Sequence, residues 1–231
     1  MSTLHEHVLS RLGPRIVSGS LPAGSTINLE WLQQEFDVSR TVAREVVQVL
    51  ASMHLVDSRR RTGVVVLPRT AWDVYDRAVI RWRLAGPERE EQLHQLSQLR
   101  AAIEPPAAAL AAVNADDGQR RRIVEVADAL ESTGAAGDLR AFLEHDVVFH
   151  RLLLESSGNS MFMGLAYVVE EVLRGRTDHD LMPPHPKPEA RRLHAVVAEA
   201  VAGGEPEVAQ AAMTAICAEV VAAMGRLSTT T

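Results

Sequence analysis

The chain has 231 residues, enough for one large domain or two small ones. With 46% hydrophobic and 23% charged residues, its composition argues against an intrinsically disordered protein. A single cysteine, Cys217, excludes an intrachain disulfide, and no apolar run reaches the roughly 18 residues that a membrane-spanning helix needs. The first residues do not resemble a signal peptide, so we expect a cytoplasmic protein without membrane contact.

The net charge of −6 is unevenly distributed. Residues 1–70 carry eight arginines and six acidic residues, whereas the remainder carries 16 basic and 24 acidic residues. A basic beginning joined to an acidic body indicates that only the first part meets a polyanion. Chance fluctuation of charge along the chain is the alternative explanation.

The first seventy residues have the pattern of a helix-turn-helix. Apolar residues of segment 8–17 recur at helical spacing and predict a first helix that ends near Gly19. Asn28 is placed to cap the short helix LEWLQQEF, and Ser39 is placed to cap a helix running from Arg40 to about Met53. Two short helices joined by a tight turn, with arginines at the start of the second, are typical of DNA-reading units.

The stretch LVDSRRRTGVVVLP predicts a small two-stranded wing, in which Gly63 permits a tight turn and a close approach to phosphate. Arg40 and Arg44 lie one turn apart and are expected to reach base edges or phosphates in the major groove. The remaining predicted phosphate contacts are Ser39, Thr41, Arg59, Arg60, Arg61 and Thr62. A solvated surface charge is the alternative for any single arginine, but the helix-turn-wing order favours a DNA-binding domain at residues 1–69.

Residues 70–87 predict a helical linker, because they are rich in large apolar side chains and contain Trp72 and Trp82. We expect the second domain to hold this linker as a hinge. From residue 88 onward the sequence predicts no strand, and residues 88–231 are expected to form an all-helical bundle. The expected helices are 88–113, 117–132, 138–157, 159–177, 187–203 and 205–227.

Five polar side chains lie on the inward faces of these helices. Asp146 and His150 are one turn apart, and His194 lies in an otherwise apolar row. Arg100 lies on one line with Leu93, Leu96 and Ile103. Arg174 comes one turn after Glu170, in a run rich in Val and Leu. Each alone is more often a buried structural residue, but several together predict a ligand site. A carboxylate with imidazoles suits a divalent transition metal such as zinc, and two arginines suit an organic carboxylate.

Two other interpretations stay open at this point. Asp146, His150 and His194 could belong to a metal-dependent enzyme built on a helical bundle, although no nucleophile or general base stands out beside them. The inward polar residues could also pair among themselves in a scaffold that binds no ligand.

The segment SRTVAREVVQVLASMHLVDSRRRTGVVV resembles the winged-helix signature of the GntR family of bacterial transcription regulators. The body shows Arg100-x-x-Ile-Glu104, then Asp146-x-x-x-His150, then Ser157-Gly158-Asn159 and His194. This order resembles the FCD effector-binding domain of the FadR subfamily. The resemblance runs from about residue 5 to 227, and it implies a homodimeric, effector-controlled regulator of operator DNA, commonly a repressor.

In many members of this subfamily an Asp and three His hold a metal. Asp146, His150 and His194 match the first three positions, but the motif AAMTAIC places Ile216 at the fourth. Three ligands leave positions for water or effector, and the same side chains could instead bind the effector directly without a metal. The linker AWDVYDRAVIRW and the missing last His resemble the branch that responds to sugar acids such as galactonate. In that branch Arg100 and Arg174 would grip the carboxylate of the effector.

Overall fold

The computed structural model describes residues 4–59, 63–178 and 186–227. The predicted phosphate contacts Arg60, Arg61 and Thr62, and the side chain of Arg59, lie outside the described residues. The chain divides into two compact units, residues 1–89 and residues 90–231. No helix in the described ranges is both long and apolar enough to cross a membrane.

The first unit is a winged helix-turn-helix. Its sheet has three antiparallel strands in the order β1-β3-β2, so the predicted two-stranded wing gains a third strand from the loop before the second helix. The described elements are α1 (Leu4–Val17), β1 (Thr26–Ile27), α2 (Leu29–Phe36), α3 (Arg40–Ser52), β2 (Val56–Arg59), β3 (Gly63–Val66), a 3-10 turn (Arg69–Ala71) and α4 (Arg77–Leu84).

Side-chain caps mark the first turns of both helices of the helix-turn-helix, α2 and α3. The Asn28 side chain accepts a hydrogen bond from the backbone N–H of Trp31 at 2.6 Å, and Ser39 Oγ accepts one from Val42 N at 3.3 Å. Between the helices Asp37 takes a left-handed conformation, φ 49°, that reverses the chain. The buried face of α3 packs into an aliphatic core and consists of Ala43, Val46, Val47 and Leu50.

The linker packs into the core of the first unit. Val79 of α4 is fully buried among the aliphatic side chains of the winged helix. The Trp82 ring lies so close to Gly13 of α1 that a Cβ there would come within 2.4 Å of it. Trp72 donates from Nε1 to the Leu67 carbonyl at 3.0 Å. Aromatic burial therefore makes this segment part of the first unit.

The second unit is helical throughout its described residues. The predicted run 159–177 is interrupted at Gly164–Leu165, which separates a short helix from a longer one. An aliphatic core lies between the long helices. The helices are α5 (Arg89–Asn114, whose first residue belongs to the first unit), α6 (Asp117–Ala136), α7 (Leu139–Ser156), α8 (Ser160–Met163), α9 (Ala166–Asp178), α10 (Pro188–Gly203) and α11 (Pro206–Leu227).

Arg120 of α6 ties together the carboxyl ends of two other helices. Its guanidinium donates to the carbonyls of Ala112 (2.8 Å) and Ala115 (2.9 Å) at the end of α5. It also donates to Val201 (2.5 Å) and Ala202 (3.0 Å) at the end of α10. Carbonyls in the last turn of a helix lack complete intrahelical partners, and a cation there also opposes the helix dipole favourably.

Candidate DNA-reading face and effector site

The exposed face of α3 carries the predicted DNA-reading residues. Arg40, Thr41 and Arg44 are exposed at the amino-terminal end of the helix, opposite its buried side. Ser39 is exposed too, and its hydroxyl already caps the helix while keeping a proton to donate. The arrangement places two guanidiniums and two hydroxyls on one solvent-facing surface, which suits contact with a polyanion.

Gly63 is required by the sheet itself. Its φ of +93° lies in the region that favours glycine. A Cβ at this position would come within 3.2 Å of Thr26 Cγ2 and 3.4 Å of the Ile27 carbonyl. The close approach observed at this glycine is therefore to β1, the strand that the sequence analysis did not predict.

Four of the five predicted effector residues meet inside the second unit. Arg100 comes from α5, Asp146 and His150 from α7, and His194 from α10. Each side chain belongs to a residue that is no more than 7% exposed. Below, these four residues together with Glu104 are called the buried polar cluster. Ionisable groups removed from water in this way are stable only with partners that satisfy their charges and hydrogen bonds.

Arg100 is held by a bidentate pair with Glu104, one turn further along α5. Nε donates to Oε1 at 2.9 Å and Nη2 donates to Oε2 at 3.1 Å. Nη2 also lies 3.2 Å from Nε2 of His150. Nη1 is buried and has no hydrogen-bond partner among the described residues. One edge of the guanidinium is therefore occupied by the protein, and its other end presents a donor without an acceptor.

Asp146 faces two imidazoles at once. Its Oδ1 lies 3.1 Å from Nε2 of His194 and 3.4 Å from Nε2 of His150. His194 Nδ1 lies 2.7 Å from the carbonyl of Ala190, which can only accept, so Nδ1 carries the proton. In the neutral ring Nε2 then presents a lone pair to a carboxylate oxygen. Such a contact is stable only when a proton or another cation lies between the two atoms.

The three side chains suit a divalent metal. The ligand atoms of Asp146, His150 and His194 all lie within 4.8 Å of one another. The second nitrogen of His194 is held against the Ala190 carbonyl, and that of His150 lies 3.1 Å from Oε2 of Glu104. A carboxylate with two imidazoles is a common donor set for zinc and related ions. Ile216, at the position of the expected fourth ligand, is buried in the aliphatic core and supplies no ligand atom. A metal held here would keep open positions for water or effector.

The two carboxylates of the buried polar cluster are ionised at neutral pH. Burial alone would raise the pKa of Glu104, but the charges of Arg100 and His150 outweigh it and lower that pKa to about 2. Burial likewise opposes ionisation of Asp146, yet the neighbouring His150 and His194 hold its pKa well below the ordinary value. Burial lowers the pKa of His150, but the neighbouring Glu104 reverses this and the net shift is upward.

The fifth predicted residue, Arg174, points elsewhere. Its two terminal nitrogens donate to Glu144 at 2.7 and 3.0 Å, and its Nε donates to Glu170 at 2.9 Å. The hydrogen bonds, above all those to Glu144, outweigh the lowering effect of burial and leave the pKa of Arg174 raised. The structure therefore corrects the expectation that Arg174 joins the cluster, because Glu170 one turn earlier and Glu144 on α7 hold its guanidinium at the surface.

Arg176 is the arginine of α9 that approaches the buried polar cluster. It follows Val169 and Leu173 at helical spacing, and those two residues are buried against α5 and α7. Burial is the largest effect on the Arg176 guanidinium, and the positive charge of Arg100 adds to it, so the pKa falls to about 10. The spacing 169, 173, 176 shows in the sequence that Arg176 shares a face with Val169 and Leu173, but packing decides what that face meets.

Two more residues of the site were not predicted as site residues. Glu104 is 2% exposed and pairs with Arg100, an i, i+4 relation visible in the sequence. Cys217 donates its thiol to Oε2 of Glu104 at 3.4 Å, and its burial, together with that carboxylate, raises the pKa of the thiol. Only the fold brings α11 to α5, so no local pattern connects Cys217 with Glu104.

Comparison with known proteins accounts for both units. Residues 4–66 match the model of the bacterial regulatory proteins of the gntR family, and residues 95–219 match the FCD domain. The galactonate operon transcriptional repressor of Escherichia coli K12 is 27% identical over 214 residues, covering 91% of this chain and 93% of that protein. A probable D-xylose utilization operon transcriptional repressor of Paenarthrobacter nicotinovorans is 25% identical over 220 residues, covering 92% and 85%.

Solved structures share the fold. A Streptococcus agalactiae GntR protein superposes with a TM-score of 0.54 at 23% identity, covering 94% of this chain and 99% of that one. The protein described as Lar, which controls the expression of the Listeria monocytogenes agr system, gives a TM-score of 0.63 at 18% identity, covering 98% of this chain and 99% of that one.

The families of the two units are those of transcription regulators rather than enzymes, and they imply operator DNA for the first unit and a small-molecule effector for the second. Winged helix, helical effector domain and both family models agree, and the chain belongs to the GntR family of bacterial regulatory proteins, with an FCD domain as its second unit.

Proposed function

We propose that the protein is a homodimeric transcriptional repressor whose second unit binds a small carboxylic acid, with a sugar acid favoured, and thereby changes operator affinity. The observation that carries this proposal is the buried polar cluster, in which Nη1 of Arg100 has no hydrogen-bond partner in the part of the chain that the structure describes. Leaving a buried donor unsatisfied costs about 1–3 kcal/mol, and more for a charged group. An acceptor such as a carboxylate oxygen would remove that penalty.

The chemistry of the cluster suits an acid that also bears hydroxyl groups. Arg100 supplies a charge-assisted donor, and Arg176 adds a second positive charge within electrostatic reach. Asp146, His150 and His194 supply acceptors and donors for hydroxyl groups. The names of two relatives, a galactonate operon repressor and a probable D-xylose utilization operon repressor, also point to sugar-derived ligands.

We further propose that Asp146, His150 and His194 hold a divalent metal such as zinc. The bound metal would supply a Lewis-acidic position for an effector oxygen. The protein's part is to present Asp146 Oδ1 and both Nε2 atoms together, with the Ala190 carbonyl keeping the proton of His194 on Nδ1. Elemental analysis before and after chelation checks this part, and protein that never contains a stoichiometric metal would refute it.

The first unit would bind one half of a partly palindromic operator. A single recognition helix reads only a short half-site, so two copies related by twofold symmetry give the required length. Control by effector then requires that binding of acid and binding of DNA be reciprocally coupled.

The central experiment measures operator affinity with and without galactonate. The operator is first selected from random DNA by its binding to the protein. Galactonate is expected to weaken binding of the selected DNA by about 5- to 150-fold, the usual range of allosteric coupling, whereas galactitol, which lacks the carboxylate, is expected to have no effect.

A matched variant separates a sensor from a scaffold. Arg100→Met/Glu104→Met removes both buried charges together and so avoids leaving one of them unpaired. It is expected to keep the fold and the affinity for DNA while losing the response to galactonate. If neither galactonate nor any other small acid changes the DNA affinity of the unaltered protein, the sensor assignment is wrong.

A further inference from the structure

We propose that Glu104 is a positioning residue that orients both His150 and Arg100 in the effector site. Its carboxylate lies against Nδ1 of His150 and binds Nε and Nη2 of Arg100. The inference rests on the proposed function, since it assigns a role within the same site. Glu104 itself need not touch metal or effector.

Three side chains contact the buried carboxylate of Glu104. Glu104 is 2% exposed, and its Oε1 accepts from Arg100 Nε at 2.9 Å. Its Oε2 accepts from Arg100 Nη2 at 3.1 Å, accepts from Cys217 Sγ at 3.4 Å and lies 3.1 Å from His150 Nδ1. Three side chains from α5, α7 and α11 are thus fixed relative to a single group.

The contact with His150 decides which nitrogen faces the other ligands. A carboxylate beside Nδ1 favours the ring form with a proton on that nitrogen. Nε2, which lies 3.4 Å from Asp146 Oδ1, is then the nitrogen that can offer a lone pair. Arg100 Nη2, which Glu104 binds, lies 3.2 Å from the same Nε2 and can only donate, so it favours the lone pair there too. Without Glu104 both effects are weakened, and Asp146 would stabilise the proton on Nε2 instead. The proton would then occupy the position that a metal needs.

The contact with Arg100 decides which part of the guanidinium is left for a ligand. A guanidinium has five N–H donors in a rigid fork, so binding one edge fixes the direction of the remaining donors. Glu104 takes the Nε and Nη2 edge and leaves Nη1 without a partner among the described residues. The Glu104 carboxylate therefore sets both the direction of the free Arg100 donor and the proton position on His150.

The test substitutes Glu104→Gln in the full chain. A glutamine offers one carbonyl oxygen as acceptor where the carboxylate offers two. Its NH₂ group can only donate, so it would face an N–H donor of either Arg100 or His150 without forming a hydrogen bond. Zinc affinity, measured by competition with a chromophoric chelator, is expected to fall by about 10- to 100-fold. Glu170→Gln is the matched control, because Glu170 pairs with Arg174 and Arg151 outside the cluster, and it is expected to change zinc affinity less than about twofold.

A second readout needs neither metal nor effector. Nitrogen-15 NMR of histidine-labelled, chelator-treated protein, recorded where imidazoles are neutral, reports which ring nitrogen carries the proton. We expect His150, assigned with a His150→Gln spectrum, to carry its proton on Nδ1 in the unaltered protein and on Nε2 after Glu104→Gln. If the single variant does not fold, Arg100→Met/Glu104→Gln, which leaves no uncompensated guanidinium, is measured in the same way.

The two readouts separate this inference from the proposed function. Unchanged zinc affinity with an unchanged His150 proton position in the variant would overturn the role of Glu104 and leave the metal site intact. If the proton of His150 moves from Nδ1 to Nε2 in Glu104→Gln but the unaltered protein never binds zinc, the role of Glu104 is supported and the metal site is refuted.

Discussion

Arg174 and Arg176 are two positions apart on α9, and the geometry of a helix sends them to different faces. Arg174 shares a face with Glu170 and forms a surface network with Glu144. Arg176 continues the buried stripe of Val169 and Leu173 toward the buried polar cluster. The same residue type therefore has two different environments within a single turn.

This difference predicts unequal effects on ligand binding. Arg176→Gln removes a partly desolvated charge near the effector site and is expected to weaken galactonate binding by about tenfold or more, measured by titration calorimetry. Arg174→Gln, the matched control, removes only partly exposed pairs and is expected to change the affinity less than about twofold. Equal effects of the two substitutions would contradict the assignment of Arg176.

At the scale of helices, the second unit depends on contacts between helix ends as well as on its aliphatic core. Arg120 connects the last turns of α5 and α10, which carry Arg100 and His194 respectively. By donating to these terminal carbonyls, the Arg120 guanidinium links α5 and α10, two helices that carry residues of the site.

Removal of this link is expected to destabilise the protein. Arg120→Ala should lower the free energy of unfolding by about 2–4 kcal/mol, since several charge-assisted bonds to backbone carbonyls are lost together. Arg122→Ala, on the same helix, removes only an exposed pair with Glu125 and should cost less than about 0.5 kcal/mol. Urea unfolding followed by circular dichroism measures both. A loss for Arg120→Ala no larger than that of the control would mean that the carbonyls find other partners.

At the scale of the whole molecule, DNA reading and effector binding are assigned to different compact units. The linker helix α4 belongs structurally to the first, because Val79 and Trp82 pack with the winged helix. A substitution on α3 should therefore act on DNA binding without altering the chemistry of the second unit.

Arg44→Ala tests this separation. It is expected to weaken operator binding by about tenfold or more, as for loss of a base-edge contact, while zinc and galactonate affinities stay unchanged. Arg122→Ala changes the net charge by the same amount in the second unit and is the control. Fluorescence anisotropy with labelled operator at fixed salt measures the effect. If Arg44→Ala changes operator affinity no more than Arg122→Ala does, Arg44 does not contact the DNA.

Much of the first unit follows from the sequence because its signals are local. Asn28 and Ser39 lie directly before the helices that they cap, and helix α2 has the predicted length. The third strand was missed because Thr26 and Ile27 form a strand only through pairing with β3, far along the chain. Pairing between distant residues is a property of the fold and not of a short segment.

In the second unit, periodicity identified the helices and four polar residues on inward faces, and the family pattern located Ile216 where a ligand is usual. Which of two arginines on α9 faces the cluster depended on how that helix restarts after Gly164 and packs on α5 and α7. The meeting of Glu104 with His150 and Cys217 joins residues distant in sequence. Helical spacing determines which side chains share a face, but only packing between helices decides what that face meets.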